Sequence, residues 1–172
     1  MVTGADVFVT VGSQLPFERL ILAVDQWAAE HPDHSVFAQI GDTVYQPQYM
    51  AFARNLRPGD YSVYFDRAQV VVSHVGMGTI ISALEVGKRL VLLPRLASLG
   101  EHRSDHQLGS ARKFRDRANI TVVDDVDALK RAVSSALQAD GLDFASGAPP
   151  QASVQLLETM RQLVAQTKAG CP

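Results

Sequence analysis

The residues able to do chemistry crowd into one stretch, Val70 to Gln107. There Ser73 and His74 lead into Gly76-Met77-Gly78-Thr79, and Arg95, Glu101, His102, Arg103, Asp105, His106 and Gln107 follow in the loop after the next apolar run. A glycine turn that opens a helix presents backbone N–H groups with no intrahelical acceptor, and such groups bind anions. His74 stands beside that turn and can donate a hydrogen bond to a phosphate. An earlier glycine turn, Gly12-Ser13-Gln14, follows the first apolar run. Together these residues predict a site for a diphosphate, with a polar cluster for whatever the diphosphate carries.

Other chemistries fit less well. A P-loop needs Lys and then Ser/Thr after its glycines, and the chain has no such sequence. A dinucleotide fingerprint needs a third glycine where Ile81 stands and an acid at the end of the next strand, which reads Leu93-Pro94-Arg95. An NAD(P)-dependent oxidoreductase therefore stays only as an alternative, with Arg95 able to face a 2′-phosphate. His102 and His106 are four apart and flank Asp105, but the Glu of His-Glu-x-x-His is missing, so no metal is expected. Neither Ser13 nor Ser73 sits in Gly-x-Ser-x-Gly, which argues against a serine hydrolase.

The elements that must position these residues alternate. Strands are predicted at Val7 to Val11, Val36 to Ile40, near Met50 to Ala53, from Val70, at Leu90 to Leu93 and at Ile120 to Val123. Helices are predicted from Phe17 to the His31-Pro32 stop, over Pro58 to Arg67, Ile80 to Val86 and Asp105 to Ala118, and then with Val126, Leu129, Val133 and Leu137 on one face. Asp124 or Asp125 can cap that last helix. Val70-Val71-Val72 is β-branched without alternation, as in a strand covered on both faces. Strand and helix in alternation imply an α/β fold, a single Rossmann-like, doubly wound parallel sheet, which binds ligands at the carboxyl ends of its strands. The expected organisation is a domain over residues 1–140, a linker over 141–151 with Pro149-Pro150, and a C-terminal helix and tail over 152–172, the helix around Ala152 to Lys168.

Size and charge bound the possibilities. The chain has 172 residues, 47% of them hydrophobic, and a formal net charge of −2. One globular domain of this size buries roughly 70% of the surface that its unfolded chain exposes. The charge gives no case for nucleic acid. From Arg95 to Arg117 six basic residues face three acidic ones, a local excess that suits a solvated helix face or a partner- or membrane-facing patch. Cys171 is the only cysteine, so no internal disulfide forms and a reducing compartment is expected. No apolar run reaches the roughly 18 to 20 residues that span a bilayer, and Met-Val-Thr-Gly-Ala-Asp at the start lacks the regions of a signal peptide. A cytoplasmic protein is expected, with any membrane role supplied by a partner.

Val9-Thr10-Val11-Gly12-Ser13-Gln14, Ser73-His74-Val75-Gly76-Met77-Gly78-Thr79 and Asp105-His106-Gln107 resemble, in order and spacing, the C-terminal, donor-binding domain of family 28 glycosyltransferases. The similarity runs over roughly residues 5–137 and is strongest to short stand-alone members. These are the catalytic subunits of two-part enzymes that act on dolichol-linked sugar or make bacterial exopolysaccharides. Gly100 to Gln107 looks most like the exopolysaccharide group.

The resemblance implies the C-terminal half of a GT-B enzyme that binds a UDP-sugar. The acceptor, a sugar on a polyprenyl diphosphate, would be held by a separate membrane-anchored subunit, which would recruit the chain to the inner face of the cytoplasmic membrane. It assigns Gly12, Ser13 and Gln14 to the first loop at the diphosphate and sugar. His74, Gly76, Met77, Gly78 and Thr79 match the second, phosphate-holding loop, and Asp105, His106 and Gln107 the cluster at the donor sugar or ribose. Many relatives carry Glu six residues after the glycine matched to Gly76, for the ribose hydroxyls; here Ser82 stands there, with Glu85 one helical turn further on. No cofactor or metal is implied. The general base is expected in the partner or at Glu101 or His102. Arg95 or Arg103 could pair with a uronic carboxylate, which favours UDP-glucuronate as donor. A noncatalytic nucleotide-sugar-binding regulatory subunit is the other alternative.

Overall fold

The structure is a computed structural model and describes residues 4–115 and 117–139. The expected linker, C-terminal helix and Cys171 lie outside the described residues. Among the described residues six strands, β1 (Val7–Thr10), β2 (Val36–Gln39), β3 (Ala51–Ala53), β4 (Val70–Ser73), β5 (Arg89–Leu92) and β6 (Ile120–Val122), alternate with five helices except between β2 and β3, which a loop joins. The helices are α1 (Glu18–Glu30), α2 (Pro58–Arg67), α3 (Met77–Val86), α4 (His106–Phe114) and α5 (Val126–Gln138), with one 3-10 turn at Ala97–Leu99. All strand pairs are parallel and the sheet order is β3-β2-β1-β4-β5-β6, the doubly wound arrangement expected from the alternation.

Each central strand is buried on both faces, which accounts for its unbroken apolar sequence. Val7, Val9, Val70, Val72 and Val91 face one layer, where Phe17, Leu20, Ile21, Val24 and Trp27 of the α1 segment meet Leu129 and Val133 of α5. Phe8, Val71, Leu90 and Leu92 face the other, against Phe65 of α2, Ile80 and Ala83 of α3, and Ala111 and Phe114 of α4. Pro58 begins α2, where its missing N–H costs nothing. Gly87, at φ +63°, closes α3 in the left-handed conformation. The Asp125 carboxylate caps α5 by accepting the Ala128 N–H at 2.7 Å.

Two boundaries differ from the sequence expectation in ways that matter for the site. The helix predicted from Ile80 begins at Met77, so Gly78 and Thr79 belong to its first turn. Glycine costs a helix about 1 kcal/mol relative to alanine, and burial of Ile80 and Ala83 against the sheet outweighs it. The helix predicted over Asp105 to Ala118 is shorter, His106–Phe114. No helix among the described residues is long and apolar enough to cross a membrane.

One buried charge escaped the sequence pattern. Asp25 sits on the core side of α1 at 1% exposure. Its carboxylate accepts the Tyr45 hydroxyl at 2.7 Å and the N–H groups of Gln48 and Tyr49 at 2.9 and 2.8 Å, fixing the loop that carries the chain into β3. Removing the acceptor strands three donors, so Asp25→Ala should lower the unfolding free energy by about 3 kcal/mol. Urea denaturation monitored by Trp27 fluorescence measures it, and a loss below about 1 kcal/mol would mean the loop carries its own weight.

Candidate functional site

The registers Thr10↔Gln39, Thr10↔Ser73 and Ser73↔Leu92 bring the strand ends to one level, so the loops after β1, β4 and β5 leave from the same edge. The chain winds away in opposite directions from β1 and β4, and the gap between their exits is the switch point at which open α/β sheets bind ligands. A cleft of about 660 Å³ opens there. Gly12, Ser13 and Gln14 line it from the first loop, and His74, Gly76, Met77, Gly78, Thr79 and Ser82 from the second loop and α3.

The first loop is held from two sides. Toward β2, the Thr10 hydroxyl donates to Gln39 Oε1 at 2.7 Å and accepts the Gly12 N–H at 3.2 Å. Gln39 Nε2 donates to the Gly12 carbonyl at 3.1 Å and to the Arg54 carbonyl at 3.2 Å. Toward β5, Arg95 lies beneath the loop and donates to the carbonyls of Val11 (2.9 Å), Leu15 (2.7 Å) and Pro16, and to that of Glu101 (3.3 Å). Gly12 has φ +79°, a conformation that L side chains rarely adopt.

His74 ties the two loops together. A Cβ built on Gly12 would stand 2.5 Å from its Cε1, and one on Gly76 would overlap its Nε2, so the imidazole fills the space between two glycine backbones. Its pKa falls to about 4, first because burial penalises the charged form and then because the Arg95 cation lies nearby; a hydrogen bond to the Thr10 carbonyl opposes both. The ring is therefore neutral at pH 7. A neutral imidazole has one N–H; with Ser73 Oγ 3.3 Å from its Nδ1 and the Thr10 carbonyl nearby, His74 spaces the two loops while it lines the cleft. Gly78 is different: a Cβ there meets nothing within 4 Å, and the first turn of α3 opens directly to the cleft.

The polar cluster after β5 divides. Gln107 is buried, lines the cleft and accepts the Arg95 N–H through Oε1 at 3.0 Å. His102 also lines the cleft, its Nδ1 accepting the Ser104 N–H at 3.4 Å. Glu101 does not: its carboxylate forms a paired contact with Arg19, both N···O distances 2.8 Å, and accepts the Leu96 N–H at 2.9 Å. Asp105 is exposed, accepts the Ala97 N–H at 2.9 Å and stands outside the lining, as do the exposed Arg103 and Glu85. Of His106 the structure places the backbone, at the start of α4. Arg95 also lines the cleft, but four of its five guanidinium N–H bonds go to carbonyls and the side chain is 2% exposed, which leaves little of it for a uronate or a 2′-phosphate.

Sequence reasoning missed Gln39, Asn55, Tyr61 and Ser110, all in the lining. A polar residue ending an apolar strand was the available signal for Gln39. Tyr61 carried none: its phenol, pushed up in pKa by burial, lies within hydrogen-bonding reach of Thr79 and Thr10. Among the described residues no Asp or Glu lines the cleft, and no three His, Cys, Asp or Glu gather as metal ligands. The cleft thus offers neutral donors, a helix N-terminus and, at its floor, the largely committed Arg95 guanidinium to an anion, with His102 as a second imidazole in its lining.

Because the His74 pKa is depressed from 6.5 to about 4, the unfolded chain binds a proton first as the pH falls. The stability this residue contributes is complete above pH 6.5 and drains away toward pH 4. Wild type should lose about 2 kcal/mol more than His74→Gln between pH 7.5 and pH 5, read as the difference in urea unfolding free energies; equal losses would place the imidazole in water.

Solved structures share the fold. The chain aligns over 91% of its length with the ALG13 solution structure (TM-score 0.60, 18% identity, 97% of that chain). It aligns over the same share with the glycotransferase of kitacinnamycin (TM-score 0.60, 22% identity, 38% of that chain) and with Acinetobacter baumannii MurG (TM-score 0.57, 14% identity, 52% of that chain). It therefore spans about half or less of those two longer enzymes. In sequence it is 27% identical over 139 residues to the UDP-N-acetylglucosamine transferase subunit ALG13 of Yarrowia lipolytica, covering 72% of this chain and 67% of the relative. With the family's model matched across residues 6–148, through both glycine loops and the cluster after β5, the chain belongs to the glycosyltransferase family 28 C-terminal domain family.

Proposed function

We propose that this chain is the donor-binding, catalytic subunit of a glycosyltransferase. It holds a UDP-sugar in the cleft between β1 and β4, and the sugar passes to a polyprenyl-diphosphate-linked acceptor presented by a membrane-anchored partner subunit. The observation that carries this proposal is the pairing of the Gly12 loop with the N-terminus of α3 across one cleft free of carboxylates, a setting that favours a diphosphate. The partner is supported by relatives: the Yarrowia protein is named a subunit, and the ALG13 structure is spanned almost in full. On this proposal the chain works at the cytoplasmic face of the membrane, in exopolysaccharide assembly.

The chemistry is displacement at the anomeric carbon. An acceptor hydroxyl loses its proton to a base and attacks, while backbone N–H groups of the two loops stabilise the departing diphosphate without a metal. Glu101, bound to Arg19, is poorly placed to serve as base. His102 lines the cleft and takes that role, unless the partner supplies it. The donor sugar is the finer question. A preference for glucuronate loses its Arg95 support and keeps only His102 in the cleft and Arg103 outside it, so UDP-glucuronate is tested beside UDP-glucose and UDP-N-acetylglucosamine.

Isothermal titration with UDP, these three donors and NADPH, without metal, tests the proposal. UDP and one donor should bind and NADPH should not; silence toward UDP from folded protein would overturn the proposal, and turnover of a lipid-linked acceptor by this chain alone would remove the partner. An intact donor in the presence of every partner would favour the regulatory alternative. Gly78→Val places a branched side chain where phosphate oxygens approach and where no protein atom is displaced. It should weaken UDP binding at least tenfold and leave the melting temperature within about 2 °C of wild type, consistent with the small cost of an exposed substitution.

A further inference from the structure

Arg95 is among the largest fully buried side chains of the molecule, and every side-chain hydrogen bond described for it ends on a backbone carbonyl. Three of those carbonyls, Val11, Leu15 and Pro16, belong to the single loop that lines the cleft from β1. The fourth is that of Glu101, whose carboxylate is committed to Arg19 and the Leu96 N–H. The guanidinium also lies 4.6 Å from the Phe17 ring centroid, and the Arg95 N–H is held by Gln107, another lining residue. Burial drags its pKa down to about 10, which leaves it charged at neutral pH.

Burying a cation without a carboxylate in direct contact is costly, and apolar replacements at such positions are often more stable. Stability alone therefore does not explain an arginine here. The rigid fork of a guanidinium offers five N–H donors in fixed directions, enough for the four carbonyls met here, whereas an ammonium offers three on one rotating head.

We infer that Arg95 is a positioning residue for the ligand: from the floor of the cleft, with its guanidinium committed to carbonyls, it fixes the shape of the Val11 to Pro16 loop, couples that loop to the one after β5, and adds positive potential under the anion site. The ligand part of this inference rests on the UDP-binding proposal above; the loop part does not. Binding groups act at full strength only when a supporting shell holds them in place, and Arg95 with the Arg19–Glu101 pair is that shell for the first loop.

The test compares wild type, Arg95→Met and Arg95→Lys in the full chain. Two readouts are taken well below the melting temperature: UDP affinity, and amide hydrogen exchange without ligand. Arg95→Met should bind UDP at least thirtyfold more weakly and show at least tenfold faster exchange across the Val11 to Phe17 loop, with β6 and α5 unchanged. Arg95→Lys should restore part of the affinity and leave exchange fast. A purely structural role would lower the melting temperature and leave both readouts of the folded protein at wild-type values, which would overturn the inference. If Arg95→Met does not fold, Arg95→Lys decides: at least fivefold weaker binding with faster loop exchange supports the inference, and unchanged values overturn it. If wild type itself ignores UDP, the functional proposal fails, while loop exchange in the variants still shows whether Arg95 holds the loop.

Discussion

Everything in this molecule that can meet a ligand depends on the parallel pairing of β1 with β4. That pairing sets Thr10 opposite Ser73 and so places two glycine loops side by side where the chain departs to opposite faces of the sheet. Parallel strands need covering on both faces, and the two helical layers supply it, α1 with α5 on one side and α2, α3 and α4 on the other. The core is thus the reason the cleft exists: a shift of one residue in register would carry Ser73 and the loop behind it out of line with Thr10, and would turn the alternating faces of the strand inside out.

The cleft is organised more by backbone than by charged side chains. Among the described residues its lining contains no carboxylate, the His74 imidazole is neutral, and the Arg95 guanidinium is turned into the loop it supports. The lining also offers N–H groups at the start of α3, hydroxyls and amides, with Gln39, Arg95 and His74 among the lining residues that hold the loops in place. Preorganised neutral donors stabilise charge that appears on a leaving group without needing to rearrange when it appears.

Much of this was legible in the sequence, and the exceptions share a cause. The strand and helix order, the two loops and Gln107 followed from local pattern, because apolar runs, glycines and a proline report on the residues around them. The start of α3 was misplaced since glycines near a helix start read as a turn, and only tertiary burial of Ile80 and Ala83 reveals the extra turn. Arg95 and Glu101 were legible as residues near the site but not in their roles. Arg95 finds its acceptors about 80 positions back in the chain, and Glu101 finds Arg19 at similar distance, contacts that no local spacing records. Tyr61 and Asn55 reach the cleft from across β1 for the same reason. Asp25, an acid on the buried face of a helix, holds a loop more than twenty positions further on, which its own neighbourhood does not record.

The central claim is that the two loops grip one diphosphate together and without a metal. Amide chemical-shift mapping of isotopically labelled protein titrated with UDP in the presence of a chelator tests it directly. The account predicts simultaneous, saturable shifts at Gly12 to Leu15 and at Met77 to Thr79, at one common affinity. Shifts confined to one loop, centred on the outer faces of α1 and α5, or appearing only once a divalent ion is added would contradict it.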